Sequence, residues 1–357
     1  LPMKKIIILL STVFLLVLGV ISWKLLTSGH TKFELQDSAS MYIIYPNQIE
    51  TYQLEGNDLK LLNRQEMGGI DFPLGNSHKL QNRYLMLSSS APKSYAENVT
   101  SLDFQTGTIS QKATKFHDYI AGSDEHHLYM AGRHLTWFDT SGKEAGQLTL
   151  PEDFSTLPSI MTDSGDLLVL YGHRYVIDKP EETRAYYLIF DKKSEKIVDE
   201  IEVPLSHQVR QGILKNGLVY HPILTYYHGD GQQETSYDVQ TFDPKTKEIG
   251  KIQLSHPHPS TIHNLGDKHL LLIEHDSYIS KYPHFTLYNL ETQEESYHAF
   301  PNLSDSDSPI KHIQLLDQER LLFTKDNQVI IYNFKHSEIL KQTRLPSEYV
   351  AGVWLTP

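Results

Sequence analysis

Trp137-Phe138-Asp139-Thr140-Ser141-Gly142 joins an aromatic pair to a turn, and the same phrase returns along the chain in altered form. It reads Tyr52-Gln53-Leu54-Glu55-Gly56, Leu102-Asp103-Phe104-Gln105-Thr106-Gly107, Ile189-Phe190-Asp191-Lys192-Lys193, Thr241-Phe242-Asp243-Pro244-Lys245, Leu287-Tyr288-Asn289-Leu290-Glu291 and Ile331-Tyr332-Asn333-Phe334-Lys335 elsewhere. Reference positions Leu54, Phe104, Asp139, Asp191, Asp243, Asn289 and Asn333 stand 50, 35, 52, 52, 46 and 44 residues apart. Spacings near roughly 40–50 residues suit a four-stranded blade better than the shorter helical repeats. Asp, Asn and Gly tolerate positive φ or bond back to their own backbone, so each phrase marks a turn between β-rich segments. Seven occurrences predict an all-β chain folded as a seven-bladed β-propeller.

The phrase extends into whole blades. Phe116–Gly122, His127–Ala131, His134–Asp139 and Lys143–Leu150 read as four consecutive strands. Ile160–Asp163, Leu167–Tyr171, Tyr186–Phe190 and Lys196–Val203 repeat the grammar, as do His312–Leu316, Leu321–Thr324, Gln328–Tyr332 and Glu338–Leu345. Short apolar runs such as Leu167-Leu168-Val169-Leu170 and Leu270-Leu271-Leu272-Ile273, bracketed by turns, suit strands buried between sheets. Two segments compete to complete the first blade, Lys32–Gln36 and Tyr349–Thr356, and the ring has one vacancy; the C-terminal segment is the favoured closing strand. The repeated pair-then-Asp-x-x-Gly unit resembles the bacterial propeller superfamily of quinoprotein-like, WD-like and surface-layer-type repeats, over roughly residues 32–357. That resemblance implies the fold and a binding funnel on one face, with no specific activity attached.

Ile6 to Trp23 form 18 consecutive uncharged, mostly apolar positions after Lys4 and Lys5. At 1.5 Å per residue they would span about 27 Å, near the roughly 30 Å of a hydrocarbon core. The flanking lysines place the N-terminus in the cytoplasm. A cleaved signal peptide fits the same length, but Lys24-Leu25-Leu26-Thr27-Ser28-Gly29 supplies no Ala-x-Ala site, which favours an uncleaved anchor. The expected organisation is therefore a cytoplasmic tip and single transmembrane signal anchor over 1–26, a linker over 27–31 and an extracellular propeller over 32–357, in the cell envelope of a bacterium.

Cysteine is absent, which excludes disulfides, thiolate metal sites and thiol nucleophiles. Net charge is −12, and residues 38–357 alone carry 28 basic and 42 acidic groups, net −14. That balance argues against nucleic-acid binding through phosphates. Asn98-Val99-Thr100 and Asn302-Leu303-Ser304 match the glycosylation sequon, a pattern common by chance.

Long second-to-third insertions are expected at Ser88–Glu97, Gly172–Ala185, His221–Ser236 and His275–His284. In a propeller these emerge on the same face as the blade-to-blade connections, and loops on a rigid scaffold are where binding groups are displayed. Candidate binding residues on this face are His173, Arg174, His221, Tyr226, Tyr227, His228, Asp230, His275 and Tyr278. Nineteen histidines invite a metal reading. His126-His127 would point to opposite faces of a strand, however, and His256-Pro257-His258 lacks a third ligand, so neither metal nor cofactor is expected. His228-Gly229-Asp230-Gly231 lacks the alternating oxygen ligands of a calcium loop. No Gly-x-Ser-x-Gly, His-Glu-x-x-His or Gly-x-x-x-x-Gly-Lys motif occurs, so no catalytic residue is assigned. Two functions follow. The leading one is a membrane-anchored extracellular recognition or scaffold protein for a protein, peptide or envelope glycan, using aromatics as contact area. The alternative is a lyase or hydrolase acting on a cell-wall or secreted small molecule in the funnel, with His173 or His221 as base, Arg174 as clamp and Asp230 as second carboxylate.

Overall fold

The computed structural model of the chain describes residues 31–89, 98–114, 120–174, 176, 182–207, 211–228, 232–303 and 308–356. Its strands form a seven-bladed β-propeller. Gly75–Leu80, Tyr84–Ser89, Asn98–Asp103 and Thr108–Ala113 make blade 2, numbered from the inner strand outward, and Ile120–Ser123, Leu128–Ala131, His134–Phe138 and Glu144–Thr149 make blade 3. Blade 4 is Phe154–Thr162, Leu167–Arg174, Arg184–Asp191 and Lys196–Val203; blade 5 is Ile213–Lys215, Leu218–Pro222, Asp238–Phe242 and Ile249–Gln253. Pro259–His263, Leu270–His275, His284–Asn289 and Glu295–Ala299 form blade 6, and Lys311–Leu315, Arg320–Lys325, Gln328–Asn333 and Glu338–Arg344 form blade 7.

Blade 1 is assembled from both ends of the ring. Met41–Ile44, Gln48–Glu55 and Asp58–Glu66 supply three strands, and Gly352–Leu355 pairs antiparallel with Met41–Ile44 as the inner one. The C-terminal segment thus closes the ring, as its pattern predicts. Thr31–Lys32 instead lies against the outer strand of blade 2, with Thr31 opposite Ile109 and Lys32 opposite Thr108. Phe33 follows it across the Gly107 turn: Phe33 N–H donates to Gly107 O at 2.8 Å, and a Cβ on Gly107, whose φ is +69°, would collide with Phe33 O.

The recurrent phrase proves to be the third strand and its turn to the fourth. Asp103, Asp139, Asp191, Asp243, Asn289 and Asn333 each accept, through Oδ1, a backbone N–H two or three residues on. A left-handed residue then completes each turn: Gly107, Gly142, Glu195, Lys247, Gln293 and Ser337. Only the first two are glycines, so the other four hold positive φ by virtue of the surrounding hydrogen bonds.

Between successive blades lie seven apolar clusters. Tyr42, Leu85 and Trp354 join blades 1 and 2; Leu80, Met86 and Met130 join 2 and 3. Trp137 and Phe190 join 3 and 4, Tyr187 and Phe242 join 4 and 5, and Tyr220 and Ile273 join 5 and 6. Phe285 and Phe323 join 6 and 7, and Ile43 and Ile331 join 7 back to 1. Blade packing is thus continuous around the circle.

The membrane-spanning helix expected from sequence is corrected. Among the described residues the α-helix is Ser277–Ser280, whose four residues rise about 6 Å against the roughly 30 Å of a hydrocarbon core, and no helix is long and apolar enough to cross a membrane. Ile6–Trp23 lies outside the described residues. The single-pass, membrane-anchored reading, its partner bilayer and the extracellular placement of the ring therefore go no further.

Trp354 is buried and its ring stacks on Phe104 at 4.3 Å, so it carries the closing strand. Replacing Trp354 by Ala should cost about 3–5 kcal/mol in urea unfolding. Deleting residues 349–357 should abolish the cooperative transition; a truncated chain within about 1 kcal/mol of the parent would show that another segment closes the ring.

Candidate functional site

Because adjacent strands run antiparallel, the second-to-third and blade-to-blade connections share one face, and the Asx turns occupy the other. On the loop-bearing face, blade 5 carries the most elaborate insertion. Thr225–Tyr227 and Gln233–Thr235 form a hairpin, and Ser206–His207, from the connection out of blade 4, pairs with it to make a small three-stranded sheet. The connection from His275 to His284 in blade 6 folds into the helix Ser277–Ser280. Asp276 caps it, accepting from Tyr278 N at 2.8 Å and Ile279 N at 3.0 Å, and Lys281 ends it in the left-handed region. The cap holds Tyr278 and Ile279 on a fixed tip, 49% and 50% exposed.

The sequence candidates separate into three groups. His173, His221 and His275 are buried. His221 sits between blades 4 and 5: Gln240 Nε2 donates to the Tyr187 hydroxyl at 2.8 Å, which leaves that hydroxyl to donate to His221 Nδ1 at 3.1 Å. The Tyr171 ring lies 4.4 Å from the imidazole, and the Tyr171 hydroxyl meets His173 Nε2 at 3.2 Å. In blade 6, His275 Nδ1–H donates to Pro257 O at 2.7 Å, so its Nε2 accepts from Thr286 Oγ1 at 2.8 Å. Burial lowers the pKa of His221 to about 3 and of His275 to about 3, and that of neighbouring His284 to about 4. These rings are neutral parts of the scaffold.

Arg174 forms the second group. Its Nε and Nη2 donate to the two oxygens of Glu200 at 2.6 Å each, and Nη1 bonds Asp153. Its hydrogen bonds to Glu200, with that to Asp153, raise its pKa further, and two carboxylates already occupy three of its donors.

Third come the residues that face outward. Tyr278 stands on the helical tip. His228 Nε2 lies 3.1 Å from Glu234 Oε2 across the blade 5 hairpin, and Tyr227 is half-buried in the same hairpin. Tyr226 donates its hydroxyl to Asp238 Oδ2 at 2.9 Å, which also takes Lys251 Nζ at 3.1 Å. Tyr226, Tyr237, Asp238, Lys251 and Glu234 line a cleft of about 250 Å³ beside that hairpin. Asp238 is buried, and its Oδ1 has no hydrogen-bond partner among the described residues. Asp230 lies outside the described residues. No group of three or more His, Asp or Glu among the described residues is arranged to hold a metal.

Sequence reasoning passed over Val176, Tyr237, Ile279 and Tyr349. Each is an exposed large apolar side chain on this face, in a second-to-third or blade-to-blade connection. The other exposed large apolar residues among those described, Leu61, Val198 and Ile249, lie on outer strands. The one available signal was Asp276, whose type marks an N-cap.

What the fold and its loops define is a seven-bladed β-propeller that concentrates its insertions on one face. No protein-family profile matches the chain, and no curated protein sequence does. Solved structures of similar shape include a functionally unknown protein from Desulfotomaculum acetoxidans, 10% identical with a TM-score of 0.56 over 88% of this chain and 98% of that one. BamB from Moraxella catarrhalis is 11% identical, with a TM-score of 0.49 over 91% of this chain and 98% of that one. At 10% identity the likeness to the Desulfotomaculum protein shows the fold alone.

The buried histidines set a pH dependence. Their folded pKa values lie below the ordinary histidine value of about 6.5, so between about 6.5 and 4 the unfolded chain binds more protons and stability falls as pH falls. Each such ring contributes at most about 1.4 kcal/mol per pH unit in that window. The urea midpoint should therefore drop on acidification from pH 7 to 5. His221→Gln should be less stable than the parent at pH 7 and show a shallower decline; an unchanged slope would remove His221 from this account.

Proposed function

We propose that the chain is a binding protein whose loop-bearing face, over blades 4 to 6, recognises an apolar-aromatic segment of a peptide or protein. The observation that carries this reading is the distribution of exposed apolar side chains. Val176, Tyr237, Tyr278 and Ile279 belong to consecutive insertions, and the cap at Asp276 fixes the last two in place. Aromatic and aliphatic groups held in a bound-like geometry lose little entropy on association. Tyr226, Tyr227 and His228 add polar contacts from the blade 5 hairpin. The recurrent Asp and Asn turns support grouping the repeat with quinoprotein-like and WD-like propellers and carry no activity of their own.

A second reading places small-molecule chemistry, of the hydrolase or lyase kind, on the same side of the ring. It is favoured by the cleft beside Tyr226 and by Asp238, a buried carboxylate whose Oδ1 has no partner among the described residues. His173 and His221 do not serve it as surface bases, since both are buried.

Selection of peptides from a random library on the immobilised chain tests the first reading. Binders should carry aromatic or aliphatic residues, and Tyr278→Ala with Ile279→Ala should weaken them at least tenfold, about 1.4 kcal/mol. Equal affinity for the double variant would remove the helical tip from the recognition surface. Loss of peptide binding on Asp238→Asn, with the tip variant unaffected, would move the site to the cleft.

A further inference from the structure

The inner strands of blades 7, 1 and 2 bring together a set of polar side chains that the loop-bearing face does not use. Along Gly75–Leu80 the side chains alternate. Leu80 and His78 turn toward blade 3, where Leu80 joins the apolar cluster with Met130 and His78 Nδ1 meets Ser123 Oγ at 3.1 Å. Ser77 and Lys79 turn the other way and reach past the closing strand to blade 7. Ser77 Oγ lies 3.3 Å from His312 Nδ1, and Lys79 Nζ donates to Gln314 Oε1. Both blade 7 side chains are themselves anchored on carbonyls that lead into or belong to the closing strand. His312 Nε2 donates to Val350 O at 3.2 Å, and Gln314 Nε2 donates to Val353 O at 3.0 Å.

That geometry fixes the protons. His312 carries its hydrogen on Nε2, so Nδ1 accepts from Ser77 and the ring is neutral, in keeping with burial that lowers its pKa to about 4. Gln314 presents its oxygen to Lys79. The Lys79 ammonium has three donors, of which Gln314 takes one, and its charge lies over the Trp354 ring at 4.9 Å. Lys192, Lys251, Lys325 and Lys341 each have a carboxylate within 3.1 Å. Lys79 has no such partner among the described residues, in a chain of net charge −12. It is exposed, yet loss of hydration alone lowers its pKa to about 8. The inner strands of a propeller border its central channel, and Lys79 stands where those of blades 7, 1 and 2 meet.

We propose that this channel wall is a binding site for a small oxyanion, carboxylate or phosphate, with Lys79 supplying the charge, Gln314 holding the ammonium over Trp354, and the Ser77–His312 pair bracing the same strands. The anion furnishes the countercharge that the fold omits and takes the remaining Lys79 donors. Depressed hydration makes the ammonium a stronger partner there than on the surface. The site is independent of the Tyr278 face, so either can fail without the other.

Lysine side-chain NMR on the intact chain tests it, with the Lys79 signal assigned by its loss in Lys79→Met. The signal should titrate about two pH units below the surface lysines, and acetate or inorganic phosphate at millimolar concentration and fixed ionic strength should raise that midpoint by about one unit, a tenfold preference for the charged amine. Saturation by acetate alone assigns a carboxylate ligand and by phosphate alone a phosphate; either supports the site. Lys79→Arg should keep the saturable response of the Ser77 and His312 signals, and Lys79→Met should lose it. An ordinary midpoint for Lys79, no saturable response to either anion, or the same response in Lys79→Met would overturn the proposal.

Discussion

Pairing of Gly352–Leu355 with Met41–Ile44 is the constraint on which the molecule rests. A propeller has no central core; each blade is stable because it is covered on both sides, and coverage is complete only when the circle is. Four backbone pairs accomplish that closure, and side chains reinforce it from three directions. Phe104 stacks on Trp354 from blade 2, Gln314 and His312 hold the carbonyls of Val353 and Val350 from blade 7, and the Thr356 hydroxyl donates to Ala39 O at 2.8 Å beside blade 1. Loss of these contacts uncovers two blade faces at once, so closure and global stability rise and fall together.

The two faces of the ring divide the work. On one, Asp and Asn side chains are consumed by their own backbone: hydrogen bonds from Arg83, Gln105 N–H and Thr106 hold the Asp103 carboxyl down at about 2 against the opposing effect of burial. Neighbouring blades are also stapled there, as where Lys192 bonds Asp124 and Asp163 O, and where Arg320 reaches Gly56 O and Asn57. These carboxylates are thus structural. On the other face Asp276 caps the blade 6 helix through its own backbone, and the insertions present apolar groups outward.

This division explains what the sequence disclosed. Turn chemistry is local, so Asp139-Thr140-Ser141-Gly142 and its relatives announced the blades and their number, and the strand pattern pointed to the C-terminal segment as the closing one. Contacts between residues distant in sequence were not legible. His221 looked like an available base because nothing near it in the chain names Tyr187 or Gln240 as its partners. Arg174 looked free because Glu200 lies two strands further out in the same blade. Ser206–His207 is too short to register as a strand, and it forms only because the Thr225–Tyr227 hairpin offers an edge. Lys79 was silent for the same reason, since its setting is made by Gln314 and Trp354 from the far end of the chain. The apolar run Ile6–Trp23 led the reading toward a membrane, which no helix among the described residues supports.

Trp354 joins these regions in one ring. Its indole is buried, stacked 4.3 Å from Phe104 at an interplanar angle of 6°, and has the Lys79 ammonium above it. Trp137 is also buried, but at the opposite side of blade 3, tilted against Phe190. The two indoles therefore fluoresce from different interfaces: the emission of Trp137 reports on the packing of blades 3 and 4, while that of Trp354 is sensitive both to the integrity of the seam and to the charge state of the channel beside it.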